Sequence, residues 1–236
     1  MIVYKFGGAS VNNADGIRNL ARIVSAEKEN LVIVVSAFGK TTNALEKVLK
    51  TWIVGDESYR ELLENIYSYH LSITEELFPT GNSGKARIDI SFARLEEYLK
   101  KSDAESYDFE YDQVVSYGEI WSTIFVAAFL KSSGMKAEWV DIRGNLITDD
   151  RFRDADILWN ESRARVKSVF NFRGTDIYVT QGFIGSTIAG QTTTLGREGS
   201  DYTAALLANM LDAERVVVWK EGPGLLNADP KWIADA

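Results

Sequence analysis

VTQGFIGSTIAGQTTTLGREGSDYTAALLA, residues 179–208, is the stretch on which the fold turns. Ile177 to Thr180 closes an apolar strand-like run, a loop with glycines at 182, 185, 190, 196 and 199 follows, and an apolar helical run begins near Tyr202. A strand passing through a glycine loop into a helix is the rhythm of a parallel sheet with crossover helices. Arg197, Ser200 and Asp201 fall at the junction of loop and helix. Free backbone N–H groups and the positive end of the helix dipole gather there, so the corner suits an anion.

The same rhythm runs outward from this stretch. Ile2 to Phe6 is a short apolar run ending at Gly7 and Gly8, and Leu31 to Val35 is a second one ending at Ser36. Between them Asn12 or Asn13 can cap a helix that turns Ile17, Leu20, Ala21 and Val24 inward. After the loop AFGKTT, Asn43 and Glu46 stand at capping-box spacing before Leu45, Val48, Leu49 and Trp52. Residues 57 to 101 read as a helical excursion, broken at PTGNSG, and Ser102 to Asp108 as an exposed polar link. A helix is predicted from Val114 to Lys131, with Gly118 allowing close approach beside Glu119. Strands are predicted at 137–142, 157–159 and 215–219, and helices at 161–170 and 202–211. Ligands in such sheets bind beyond the carboxyl ends of the strands, where Gly7, Gly8, Ser36 and Thr42 fall.

Composition narrows the chemistry. The 236 residues are 45% hydrophobic, enough for a substantial core, and carry a net charge of −8 from 34 acidic and 26 basic side chains. Interspersed charge of that sign disfavours nucleic acid and anionic membranes as partners. With no cysteine and the single His70, thiolate chemistry, disulfides and multi-histidine metal sites are excluded. MIVYKFGG has neither a basic leader nor a long apolar region, and the longest apolar run, Ile124 to Leu130, is too short for a bilayer, so a cytoplasmic protein is expected. The ending, KWIADA soon after a proline, reads as cut rather than finished.

Lys5 beside two glycines at a strand end can present an ammonium and close N–H groups to a polyphosphate. GKT at 39–41 is not a P-loop, because that pattern needs a glycine where Val34 stands, and no G-x-G-x-x-G occurs. Taken singly, Ser36, Thr42 and Asn43 are as well explained as turn and cap residues. Glu119 on an apolar helix is either a substrate ligand or a first-turn acid complementing the dipole. Arg197 and Asp201, four apart, are either a structural pair or part of a ligand site. His70 reads as a core histidine. Asp149, Asp150, Asp154 and Asp156, interleaved with Arg151 and Arg153, read as a solvated loop.

TTTLGREGSDYTA (192–204), KFGGAS (5–10), VVSAFGKTTNAL (34–45), SYGEIWS (116–122) and VWKEGPGLLNADP (218–230) occur in the order seen in the aspartokinases, and the chain resembles that branch of the amino-acid kinase superfamily. The resemblance implies a three-layer αβα sandwich around a mostly parallel sheet, with the 57–101 excursion as a helical insertion. It implies transfer of the γ-phosphoryl of ATP, supplied with Mg²⁺, to the side-chain carboxylate of L-aspartate. Lys5, Gly7 and Gly8 would contact the transferred group. Ser36, Thr42, Glu119 and Arg197 would hold aspartate, Glu119 at its α-amino group and Arg197 at its α-carboxylate. Asp201 would organise Lys5, and Lys220, Glu221, Leu226 and Lys231 would bind nucleotide. No side-chain metal site is assigned, and the resemblance allows a homodimer.

Ala9 stands where the family usually has a hydroxyl, Glu198 where it commonly has glycine, and Leu226 and Lys231 where some members have Tyr and Arg. Family members continue with the rest of the kinase domain and two regulatory ACT domains, so residues 1–236 are expected to be a C-terminally incomplete kinase domain. Two alternatives are another acid substrate and a fragment that binds ligand without turnover.

Overall fold

A computed structural model describes residues 1–78, 83–101 and 104–220. The core is a five-stranded sheet built from β1 (Ile2–Phe6), β2 (Leu31–Val35), β3 (Ala137–Val140), β5 (Ile177–Gln181) and β8 (Arg215–Trp219), in the order β3-β5-β2-β1-β8. Every pairing in it is parallel. Each residue of β1, β2 and β5 is buried. Since successive side chains point to opposite faces, both faces are covered, which is why these strands read as largely apolar runs, with Lys5, Thr180 and Gln181 as the buried polar residues near their carboxyl ends. The sheet is thus the mostly parallel one expected.

The helices are α1 (Ala14–Ser25), α2 (Thr41–Ile53), α3 (Tyr59–Leu77), α4 (Ser83–Lys101), α5 (Tyr107–Val115), α6 (Tyr117–Ser132), α7 (Trp159–Val169) and α8 (Gly199–Met210). α6 packs against β2, β3 and β5, and α8 against β1, β2 and β8. Asn13 caps α1, its Oδ1 accepting the Gly16 N–H at 2.8 Å. The 57–101 excursion forms α3 and α4, which pack on α2 and α6.

His70 on α3 is fully buried among Phe38, Phe92, Trp121 and Phe125, with ring centroids 5.4 to 5.9 Å away. Its Nδ1 bonds the Ile66 carbonyl at 2.8 Å, and burial pushes its pKa down to about 4, so it is a neutral core residue. The cluster also anchors Phe38 and with it the loop after β2.

Several local expectations are overturned. Asn43 does not cap α2, which starts two residues earlier with Lys40 at its N-cap. The predicted polar link overlaps α5, whose Ser106 cap accepts the Phe109 N–H. The predicted Val114–Lys131 helix is broken at Ser116 between α5 and α6. Residues 157–159 form no strand: Ile157 makes an isolated bridge to Thr148, and Trp159 begins α7. The glycine loop contains β6 (Ile184–Thr187) and β7 (Thr192–Thr194), which with β4 (Ile147–Thr148) make a second sheet in the order β4-β6-β7. Within Tyr107–Ser132 an 18-residue window of mean hydropathy 1.3 meets the length and composition of a membrane span, yet 78% of that window is buried inside the protein. It is core rather than lipid-facing surface.

Candidate active site

Strand register brings the site together. Phe6 pairs with Val35 and Val35 with Gln181, so Gly7, Ser36 and Gly182 leave the sheet side by side at its carboxyl end. Two glycines let the connections close in. A Cβ on Gly8 would stand 2.2 Å from the Ala37 carbonyl oxygen, and one on Gly182 would stand 2.6 Å from the Ser200 Cα. The first contact packs the turn after β1 on the loop after β2, and the second seats the start of α8 on the end of β5.

A cavity of about 790 Å³ opens there, lined by Lys5, Gly8, Ser36, Thr42, Glu119, Arg197 and Asp201. Lys5 is 5% exposed, and its Nζ lies 2.7 Å from Asp201 Oδ1. Lys220 Nζ reaches Asp201 Oδ2 at 2.5 Å. Burial alone would raise the Asp201 pKa, but hydrogen bonds from Lys220 and Lys5 outweigh it and hold the carboxyl below its ordinary value; Asp201 in turn raises that of Lys220. Gly7 lies behind this group, its Cβ position 3.7 Å from the Lys220 side chain and 3.8 Å from Lys5 Nζ.

Asp201 therefore pairs with two lysines and not with Arg197. Among the described residues no carboxylate pairs with the Arg197 guanidinium, which stays exposed at the cavity wall. Glu198 supplies the N-cap position of α8 in a left-handed conformation, φ 55°, with no side-chain cap bond. The first turn of α8 is closed by the Gly199 N–H on the Gly196 carbonyl and the Asp201 N–H on the Glu198 carbonyl, so what the cavity meets there is the positive end of the helix dipole.

Glu119 faces these cations from the first turn of α6. It is 3% exposed, and its Oε1 accepts the Ala37 N–H at 3.3 Å. Its Oε2 is buried with no partner among the described residues. Desolvation pushes its pKa up to about 8 against the weaker opposing pull of the Ala37 hydrogen bond. A carboxyl so placed invites a cationic group of a ligand.

The structure adds Tyr111, Arg153, Asp154, Phe183 and Thr194 to the wall. Residues 149–156 form the solvated turn expected, with Asp150, Arg151, Arg153, Asp154 and Asp156 exposed, and Arg153 and Asp154 also border the cavity. Their signal was a turn held by backbone geometry, with Arg153 at φ 72°, which side-chain type alone does not reveal. Among the described residues no three His, Asp or Glu side chains converge as a metal cluster. Glu221, Leu226 and Lys231 lie outside the described residues.

A parallel α/β sheet with a lysine, a guanidinium and a helix N-terminus around one cavity defines a protein built to handle anions. The chain matches the amino acid kinase family model over residues 1–236 and belongs to that family. It is 34% identical to lysine-sensitive aspartokinase 3 of Escherichia coli over 239 residues, covering 100% of this chain and 52% of that protein. It is 29% identical to the aspartokinase of Chlamydia muridarum, covering 99% of this chain and 51% of the relative. The crystal structure of E. coli aspartokinase III in complex with aspartate and ADP superposes with a TM-score of 0.89 at 32% identity, over 99% of this chain and 52% of that one. The chain spans about half the length of these two curated relatives.

Proposed function

We propose that this chain carries the phosphoryl-transfer site of an aspartate kinase, moving the γ-phosphoryl of ATP to the side-chain carboxylate of L-aspartate. The observation that carries the reading is the pairing of opposites in one cavity: the buried Glu119 Oε2 and the Arg197 guanidinium, neither of which has a partner among the described residues. An α-amino acid offers the matching ammonium and α-carboxylate. Ser36 and Thr42 line the same cavity with hydroxyls for the remaining oxygens. Aspartokinases among the relatives, and an aspartate and ADP complex among the similar structures, support aspartate and ATP as the reactants.

The chemistry asks little of the protein beyond alignment and positive charge. A carboxylate oxygen of aspartate forms the new P–O bond, and the bond from the γ-phosphorus to the bridging oxygen breaks with its electron pair leaving on ADP. The nucleophile is already ionised at neutral pH, so no base removes a proton. Lys5, with Gly7 and Gly8 beside it, neutralises charge on the transferred group, and Asp201 fixes the Lys5 ammonium in place. Lys220 extends the cationic surface toward the nucleotide. Mg²⁺ enters as MgATP, held chiefly by phosphates and water. A cytoplasmic location is part of the same reading.

Calorimetric titration tests the recognition half. L-Aspartate should bind, whereas N-acetyl-L-aspartate, which has no ammonium for Glu119, should be weaker by about a hundredfold. Equal affinity for the two would remove Glu119 from the substrate site.

A further inference from the structure

Asp112 on α5 is a buried carboxylate to which no cation is bonded among the described residues, an arrangement that is costly unless hydrogen bonds offset it. Three donors converge on it. Oδ2 accepts the Thr194 N–H at 2.8 Å and the Arg153 N–H at 2.9 Å, and Oδ1 accepts the Thr194 hydroxyl at 2.6 Å. The neighbouring Gln113 grips the same strand, donating to the Thr192 carbonyl at 2.8 Å and accepting the Thr192 N–H at 3.2 Å.

Both segments held by Asp112 are walls of the cavity. One is the 149–156 turn, where the left-handed Arg153 presents its guanidinium over the Tyr111 ring at 4.7 Å. The other is β7, which leads through Gly196 to Arg197. The walls also touch each other: Ala155 N–H donates to the Thr194 carbonyl at 3.0 Å, and Asp154 Oδ1 fills the space a Cβ on Gly196 would need. On the far side, α5 hands over at Ser116 to α6, which bears Glu119.

We infer that Asp112 is a positioning residue for the amino-acid substrate, setting the separation between the Arg197 wall and Glu119. The inference rests on the aspartate kinase reading. Asp112 does not line the cavity and acts through the walls it holds, so its loss should weaken the amino acid selectively. Asp112→Asn keeps the arrangement: its carbonyl can accept both N–H groups while its amide donates to the Thr194 hydroxyl, which can turn to accept. Asp112→Ala takes the acceptor from the buried Thr194 N–H and from the part-buried Arg153 N–H.

The test combines amide hydrogen exchange with titration of L-aspartate and of MgATP on the whole 236-residue chain. In Asp112→Ala the Arg153 and Thr194 amides should exchange faster, and the Kd for L-aspartate should rise about tenfold or more with that for MgATP within about threefold. Asp112→Asn should stay within about threefold of wild type on both ligands. Should Asp112→Ala not fold, Thr194→Val removes only the hydroxyl bond and should raise the aspartate Kd about threefold with MgATP unchanged. Equal weakening of both ligands, or unchanged aspartate affinity in a folded Asp112→Ala or Thr194→Val, overturns the inference. A wild-type chain that binds no L-aspartate overturns the substrate reading and the positioning role with it. Faster exchange in Asp112→Ala would then show that the tether exists while serving another ligand.

Discussion

Lys5 Nζ lies 2.7 Å from Asp201 Oδ1, joining the carboxyl end of β1 to the first turn of α8. The pair is mostly buried on the lysine side, 6% exposed, and more open on the aspartate side, 28% exposed. Lys5 is thereby held at the cavity while Asp201 shares itself with Lys220. Lys5→Ala should lower kcat by about a hundredfold or more while moving the KM for MgATP by less than about threefold. Steady-state kinetics at saturating aspartate checks it, and equal losses in both parameters would contradict a role in the transition state.

Glu119 links ligand binding to protons. Desolvation raises its pKa from the ordinary 4.5 to about 8, so at pH 7 the empty site holds the carboxyl protonated. An ammonium ligand binds the carboxylate form, so affinity for L-aspartate should climb with pH and level off above about 8, with a proton released on binding at pH 7. Calorimetry in buffers of different ionisation enthalpy measures that proton. Glu119→Gln should abolish the release and weaken binding by about a hundredfold. The folded-state pKa is the raised one, so the empty protein should also lose stability as pH rises from 4.5 to 8, and the same substitution should flatten that slope.

His70 works in the opposite sense. Burial lowers its pKa from 6.5 to about 4, so below 6.5 the unfolded chain binds a proton the folded chain refuses. Its contribution to stability should therefore rise with pH between about 4 and 6.5, by a total of about 3 kcal/mol. Urea denaturation of wild type and His70→Leu at pH 5 and pH 7 isolates the term by difference. An unchanged difference between the two proteins at the two pH values would show that His70 is not buried neutral.

Glu198 occupies a left-handed conformation, φ 55°, and its carboxylate lies 3.5 Å from Lys220 Nζ. A non-glycine residue there is strained, and glycine relieves the strain at some cost in chain entropy, so Glu198→Gly should be about 0.5–1 kcal/mol more stable. It also removes a negative charge beside Lys220, so MgATP should bind more tightly. A thermal melt and a nucleotide titration report the two effects separately. A lower melting temperature would mean that the Glu198 contact outweighs its strain.

The parts of this fold that were legible in the sequence share one property: most of the side chains they bury are apolar. β1, β2 and β5 are covered on both faces, so IVYKF, LVIVV and the run into Thr180 announce themselves as strands. α5 escaped detection because its buried side chains include Glu110 and Asp112, which hydrophobic periodicity counts as exposed. β6 and β7 were hidden by their glycine and threonines, whose ladder is set by pairing rather than propensity. Lys5, Ser36, Thr42, Glu119, Arg197 and Asp201 were singled out together by the resemblance to aspartokinases, and all six line the cavity; residue type and spacing alone left Ser36 and Thr42 as well explained as turn and cap residues. Arg153 and Asp154 were not singled out, because a backbone turn tied to Asp112 carries them to the cavity.

The central claim is the reaction, and acyl-phosphate formation tests it most directly. With MgATP and hydroxylamine, the chain should yield the hydroxamate of L-aspartate and none from L-glutamate or N-acetyl-L-glutamate. Product from either of the other acids, with aspartate inert, would contradict the assignment of Glu119 and Arg197 to an aspartate site.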